Sequence, residues 1–410
     1  VTVLQAYRFA IRPNPEQERV LVQHARAVRF CYNELLREVR HNLDLIRWEE
    51  RVLGQRISEY LSWSSIALQN LWNQDVRLRR CPWYAENPDD AYRTAFYDIL
   101  PNALRAWRER RHQGFGFPRP RGRRALPTVS YYCRAVAGKP RLAGHNHEHI
   151  ELPRVPGLIR LDEHPRVLVE ELAAGGRVKR ATVTQERSGR WYCSFLVERA
   201  TPKRRSGHAP RIDRIVGVAP GTSDLIVLAR PDGSEIPPPV PAPRPYEAAL
   251  GRLARRQREM SRQRRGSGRY RDTADRLAVL HARVANLRRD YIHKTTQRLA
   301  HGCDVIALPE MSITARARWQ RERGWHGANR ALYDAAIGEL MRELSYKGGW
   351  AGCQVVMVPR ERWSEGIGTL SGHERQLRIA INLARVASEV VAASGAVTAR
   401  GGQRETEVLV

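Results

Sequence analysis

The chain has 410 residues and carries 70 Lys+Arg against 43 Asp+Glu, a formal charge of +27, so two or three cores and a polyanionic partner are expected, with nucleic acid the leading class. No apolar run approaches the roughly 18 residues of a spanning helix, and neither a secretory leader at Val1 to Ile11 nor a membrane partner is expected. Cys31, Cys81, Cys133, Cys193, Cys303 and Cys353 stand singly without a CxxC pair, which argues against disulfides or a cysteine-ligated zinc and for core packing in a reducing cytoplasm.

Leu4 to Ile11 alternates as a strand, and Pro13-Asn14-Pro15-Glu16 gives a turn and a helix start. Val20, Leu21, Ala25, Val28 and Phe30 then follow helical spacing, and a helical region runs to about Arg111 with Trp48, Trp63, Trp72, Trp83 and Trp107 among arginines. Trp63, Trp72 and Trp83 are expected to anchor this region. From Phe115 the composition turns to Gly, Pro and Arg. The basic run Arg105 to Arg124, which includes Arg119, Arg121, Arg123 and Arg124, is suited to gripping phosphates. Its Phe115 and Phe117 suit either base stacking or a barrel core.

Short alternating segments at Leu126 to Cys133, Gly157 to Leu161, Val178 to Gln185 and Trp191 to Val197 predict a small β-barrel or sandwich. His145, His147 and His149 would align on a strand, but a surface loop is the expectation. Pro202 to Gly207 reads as a polar linker.

Beyond the linker, strands are predicted at Ile215 to Ala219 and Leu225 to Arg230, then a proline-rich loop and one long basic helical stretch from Tyr246 to Ala300. Further strands at Asp304 to Leu308 and Gln354 to Val358, and helices around Leu332 to Tyr346 and from Glu374 to Ala393, imply a mixed α/β sheet. Asp224 and Asp304 lie near strand ends and read as strand-terminal or surface groups. Arg252, Arg255, Arg256, Arg258, Arg262, Arg264, Arg265, Arg269 and Arg271 crowd like charges that destabilise a helix unless a polyanion screens them. Neither a Ser-His-Asp arrangement nor a phosphate-binding glycine loop stands at useful spacing, and no internal repeat is present.

Four segments in order carry a family signature: Tyr7 to Gln17 followed by Arg29-Phe30-Cys31-Tyr32-Asn33, Gly189 to Phe195, Leu280 to Asn286, and Arg289-Asp290-Tyr291-Ile292-His293-Lys294. On these the chain resembles TnpB, the RNA-guided transposon nuclease ancestral to the type V CRISPR effectors. The resemblance implies an α+β multidomain protein: a wedge-like β-barrel from residues 1–18 and 115–205, a helical recognition insert over 19–114, and a RuvC-like α/β domain of RNase H type over 206–410. It also implies a guide RNA, double-stranded target DNA, and a short target-adjacent motif read by the protein.

RuvC chemistry uses two Mg²⁺ ions about 4 Å apart, held by charged oxygen ligands. By the resemblance the first-strand aspartate falls at Ala219, the second acid at Pro309 with Glu310 displaced by one residue, and the third at Gln376. The family's four-cysteine zinc ribbon has Gly368 and Ser371 where its first pair would stand, and the second pair is absent. The expectation is therefore a nuclease-inactive RNA-guided DNA-binding protein, similar to TnpB-derived repressors, without catalytic Mg²⁺ or zinc. It would be cytoplasmic and nucleoid-associated, repress transcription by occupancy, and meet RNA polymerase or another transcription component. Alternatives are an active nuclease with relocated acids at Glu310 and Asp224, a guide-free DNA-binding or scaffold protein recruiting a transcription or transposition partner, and a functionless remnant.

Overall fold

The structure, a computed structural model, describes residues 2–133, 140–200 and 211–400, with the side chains of residues 212 and 394–400 left out. The polar linker expected at Pro202 to Gly207 lies outside the described residues. The chain divides into two compact units, Val1–Ala200 and Thr201–Val410.

In the first unit, β1 (Thr2–Arg12) turns through Pro13 into α1 (Pro15–Val52). Asn14 caps the helix: its Oδ1 accepts from Gln17 N, and Gln17 Oε1 accepts from Asn14 N, both at 2.9 Å, with Pro15 in the first turn, where a missing N–H costs nothing. One stripe of α1, including Leu21, Val28, Cys31, Leu35 and Val39, is buried. Next come α2 (Ser65–Leu71), a π-helical turn, α3 (Arg77–Arg80), α4 (Asp89–Arg93), a second π-helical turn and α5 (Leu100–Arg110). Trp72 is fully buried and stacks on Tyr92 at 5.2 Å. Trp83 meets Phe30 edge-on at 5.0 Å and Trp63 packs on Trp107 at 5.9 Å, so the three tryptophans do tie these helices together.

The sheet of this unit adds β2 (Thr128–Tyr132), β3 (Arg141–Ala143), β4 (His149–Glu151) and β5 (Ile159–Leu161), then β6 (Arg177–Gln185) and β7 (Trp191–Ala200) after the short α6 (Arg166–Ala173). Its order is β2-β6-β7-β1-β5-β4-β3 and every pairing is antiparallel. Alternate residues of β7, namely Trp191, Cys193, Phe195 and Val197, enter the core. The predicted small barrel or sandwich is a single seven-stranded half-barrel sheet whose edge strands β2 and β3 do not pair among the described residues. His149 begins β4, while His145 and His147 lie in the preceding turn.

The second unit is built on β8 (Ile215–Pro220), β9 (Asp224–Ala229) and β10 (Val240–Pro241), then α7 (Pro245–Ser261), α8 (Gly268–Gly302) and β11 (Val305–Pro309). It continues through α9 (Ile313–Glu322), α10 (His326–Ala335), α11 (Ile337–Ala351), β12 (Gln354–Val358), α12 (Arg360–Trp363) and α13 (Gly372–Arg400). The order β10-β9-β8-β11-β12 has β11 parallel to both β8 and β12, and β9 antiparallel to β8 and β10. Val216, Val218, Ile306 and Leu308 face α8, α10 and α11, whereas Ile215, Val305 and Ala307 face Leu383 and Ala387 of α13. Burial on both faces is why β8 and β11 read as unbroken apolar runs.

Two predicted helices are each corrected to a pair. The stretch from Tyr246 to Ala300 breaks between Ser261 and Gly268: Gly266 takes φ +87°, and Ser267 caps α8 by accepting from Tyr270 N at 3.2 Å. The two arms pack through Ala249, Leu253, Leu277 and Val284. The helix around Leu332 breaks at Ala336, which sits in the left-handed region at φ +49°.

Candidate nucleic-acid interface

The α7–α8 arms present the densest charge. Arg252, Arg255 and Arg258 on α7, Arg262, Arg264 and Arg265 in the turn, and Arg269 and Arg271 on α8 are exposed. Among the described residues none has a carboxylate within 4.0 Å. Arg256 differs: it is half-buried, and its Nη1 meets Glu259 at 2.7 Å, so it anchors the helix rather than offering a free cation. Unneutralised guanidinium groups at helical spacing repel one another, and a phosphate backbone relieves that repulsion while releasing its own counterions.

The other basic segment belongs to the first unit and is fastened by its backbone. Asn33 donates to Arg121 O at 3.0 Å and accepts from Arg121 N at 2.7 Å, while Arg29 donates to Arg123 O at 3.3 Å. Arg119, Arg123 and Arg124 remain exposed on this fixed strip, and Arg121 lies over the Tyr32 ring at 5.1 Å. Phe117 packs edge-on against Trp107 at 5.0 Å as core, whereas Phe115 is exposed.

The three positions of the expected acids stand as follows. Ala219 is fully buried near the end of β8, among Ala229 and Ala380. Gly217 permits this packing, because a Cβ there would come within 1.9 Å of Ala380 O on α13. Gln376, in the first turns of α13, donates from Nε2 to Ala219 O at 2.7 Å and to Asp224 O at 3.0 Å, bridging the β8–β9 turn. Pro309 is the buried last residue of β11, and Glu310 beyond it is exposed with its N–H bonded to Val358 O at 2.8 Å.

A methyl, a proline ring and an amide committed as a donor to two carbonyls do not fit a pair of Mg²⁺ ions, which need charged oxygens. Gly368 and Ser371 lie in the connection between α12 and α13, and a Cβ at Gly368 would meet nothing within 4 Å. Burial pushes the thiols of Cys303 to about 11 and Cys353 to about 12, so neither is a ready thiolate ligand. Among the described residues no group of three or more His, Cys, Asp and Glu is arranged to hold a metal ion.

Sequence reasoning missed the group beside Gln376. His373 Nδ1 lies 3.2 Å from Asp224 Oδ2, and its Nε2 lies 3.2 Å from Glu235 Oε1. Hydrogen bonding to Asp224, then to Glu235, raises the imidazole above its ordinary pKa. The two carboxylates flank opposite nitrogens of one ring, so they grip the imidazolium instead of converging on a shared cation. Asp224 is thus strand-terminal, as expected, and Asp304 likewise meets Arg214 at 3.3 Å at the start of β11.

Comparison with known proteins gives a family profile described as "Probable transposase" matching residues 197–320, and a "Helix-turn-helix domain" profile matching residues 3–44. The latter stretch folds here as one strand and part of one helix. A Mycobacterium tuberculosis protein named "Putative RNA-guided DNA endonuclease" is 31% identical, with 98% of this chain and 91% of that protein covered. An Escherichia coli protein named "Putative RNA-guided DNA endonuclease InsQ" is 26% identical over 87% of this chain and 80% of its own length. Among solved structures, a chain of the Cas12f1-sgRNA-target DNA complex aligns over 93% of this chain and 99% of its own length, at 10% identity and a TM-score of 0.49.

These relatives correct the expectation that the chain is no enzyme, since proteins similar along nearly its whole length are named endonucleases. Missing carboxylates at three positions remove one arrangement of ligands but not the chain's other acids. Among the described residues no helix is long and apolar enough to cross a membrane.

Proposed function

The chain belongs to the TnpB family, the IS605 OrfB proteins, and on that premise we propose that it holds a guide RNA and binds double-stranded DNA complementary to it. The observation that carries this is the run of eight exposed arginines along α7, its turn and α8, with no carboxylate partner among the described residues. Such a surface grips backbone without reading bases, and pairing with the guide supplies sequence while the protein reads a short flanking motif. The strand order of the second unit, in which only β9 opposes the direction shared by β8, β10, β11 and β12, supports reading it as RuvC-like.

A ribonucleoprotein seated on a promoter excludes RNA polymerase by occupancy, so repression is the regulatory output this reading carries. It carries no divalent ion at positions 219, 309 and 376 and no zinc at 368 and 371. Strand cleavage, the activity in the relatives' names, would draw in this chain on carboxylates other than those three positions. Glu310, Glu374 and Asp224 lie nearest to them in sequence.

Purification of the full chain followed by sequencing of the bound RNA tests the guide. A discrete RNA species and a gel shift of duplex DNA matching it are expected, and absence of such RNA favours a guide-free binding or scaffold protein. The same complex incubated with Mg²⁺ and matched duplex reports cleavage. Nicked product that disappears in Glu310→Gln assigns the chemistry to that acid.

A further inference from the structure

Two large aromatic side chains of the second unit stand in solvent side by side. Trp319 on α9 is 44% exposed and Trp325 in the following turn is 51% exposed. Their ring centroids are 5.2 Å apart with planes at 89°, and the Arg323 guanidinium carbon lies 4.2 Å over the Trp319 ring. Exposing this much indole surface is unfavourable unless something covers it.

The pair is held in place. Ser312 caps α9 by accepting from Ala315 N at 3.2 Å, Gly324 turns the chain at φ +71°, and Trp325 N donates to Gln320 O at 2.9 Å. Buried Asn329 then donates to Ala317 O at 3.0 Å, locking α10 against α9. The surrounding charge is positive: Arg321, Arg323 and Arg330 are exposed and, among the described residues, have no carboxylate within 4.0 Å, while Arg318 alone meets Glu322 at 2.9 Å.

The location is informative too. α9 starts three residues past Glu310, so it leaves the carboxyl end of β11, which runs parallel to β8 and thus shares an end with Ala219. Open α/β sheets take ligands outside the carboxyl ends of their strands.

We propose that Trp319, Trp325 and Arg323 form a stacking platform for an unpaired nucleobase of single-stranded nucleic acid. Indole rings stack on any base, and unneutralised arginines hold the adjoining phosphates, a combination that an acidic peptide would use less fully. The inference rests on the nucleic-acid-binding reading of the chain and adds to it where a strand leaves the duplex. The strand is either displaced DNA or unpaired guide RNA.

The test uses the full chain with its co-purified RNA, and the variants Trp319→Ala/Trp325→Ala and Trp319→Phe/Trp325→Phe. Binding is measured by anisotropy to fluorescein-labelled single-stranded DNA, single-stranded RNA and duplex DNA. The alanine pair should weaken binding to one single strand by about 5- to 150-fold, the equivalent of the ~1–3 kcal/mol of a stacked base. The phenylalanine pair should retain most of the affinity, and duplex binding and thermal stability should not change. Whichever strand loses affinity identifies the source. Unchanged single-strand binding in the alanine pair, an equal loss on duplex, an equal loss in the phenylalanine pair, or loss only of a co-purifying protein overturns the proposal. Failure of the wild type to shift matched duplex overturns the earlier reading instead.

Discussion

The carboxamide of Gln376 donates to the main-chain oxygen of Ala219 at 2.7 Å, and the same nitrogen reaches Asp224 O at 3.0 Å. Both acceptors are carbonyls, so this position requires a donor. An ionised carboxylate there would set acceptor against acceptor. Gln376→Glu should therefore lower the stability of the second unit at neutral pH by about 1–3 kcal/mol, the cost of leaving buried polar groups unpaired. Part of that loss should return as pH falls toward the unfolded carboxyl value of about 4.3, because the two carbonyls favour a protonated Glu, which can donate one bond. Urea unfolding at both pH values measures it, and unaltered stability at neutral pH would show the bridge to be incidental.

Charge on the α7–α8 arms should show in the salt dependence of binding. Each arginine that contacts a phosphate contributes about 0.9 to the slope of log affinity against log salt. Replacing Arg255, Arg262 and Arg265 together by Gln should thus reduce the slope by about 2–3 with matched duplex. Arg256→Gln should move it little, because that side chain is engaged with Glu259. Equal effects of Arg256 and Arg262 would contradict the division drawn between them.

What the sequence disclosed followed from local physics. β8 and β11 were legible because strands buried on both faces are continuous apolar runs, and the start of α1 because Asn14, Pro15 and Gln17 form a complete capping signature. The break before α8 was also available in Gly266-Ser267-Gly268, but the density of helix-favouring arginines around it masked the signal. Ala336 gave no warning, since alanine is the best helix former and only tertiary packing places it at positive φ. The open edge between β2 and β3, and the meeting of His373 with Asp224 and Glu235, depend on segments far apart in the chain. Residue spacing cannot reveal such meetings. Arg256 with Glu259 could have been read from its i,i+3 spacing.

Between α8 and α11 a buried ion pair offers a stability test. Glu343, 1% exposed at its side chain, meets Lys347 Nζ at 2.8 Å and accepts from Thr296 at 3.0 Å. Burial lowers His293 despite its 3.2 Å approach to Glu343, which leaves Lys347 as the cation that balances the carboxylate. Lys347→Met should cost about 3–5 kcal/mol by stranding that charge, and Glu343→Gln/Lys347→Met should recover much of it. A double-mutant cycle in urea would read the coupling, and additive losses would show that the two groups act independently.

His373 should make the junction of β9 and α13 sensitive to pH. Its folded pKa is raised by Asp224 and Glu235, so protonation is favoured by folding. The resulting stabilisation is complete below the unfolded value of about 6.5 and is lost as pH rises through the higher folded value. Stability of the second unit should therefore fall on going upward from about pH 6.5, and His373→Gln should flatten that part of the profile. Because the imidazole is 41% exposed at its side chain, the effect should shrink in high salt. Titration of the His373 ring protons by NMR locates the folded pKa directly. A midpoint at or below the unfolded value, or an unchanged pH profile in the variant, would mean that the two carboxylates do not hold the imidazolium in solution.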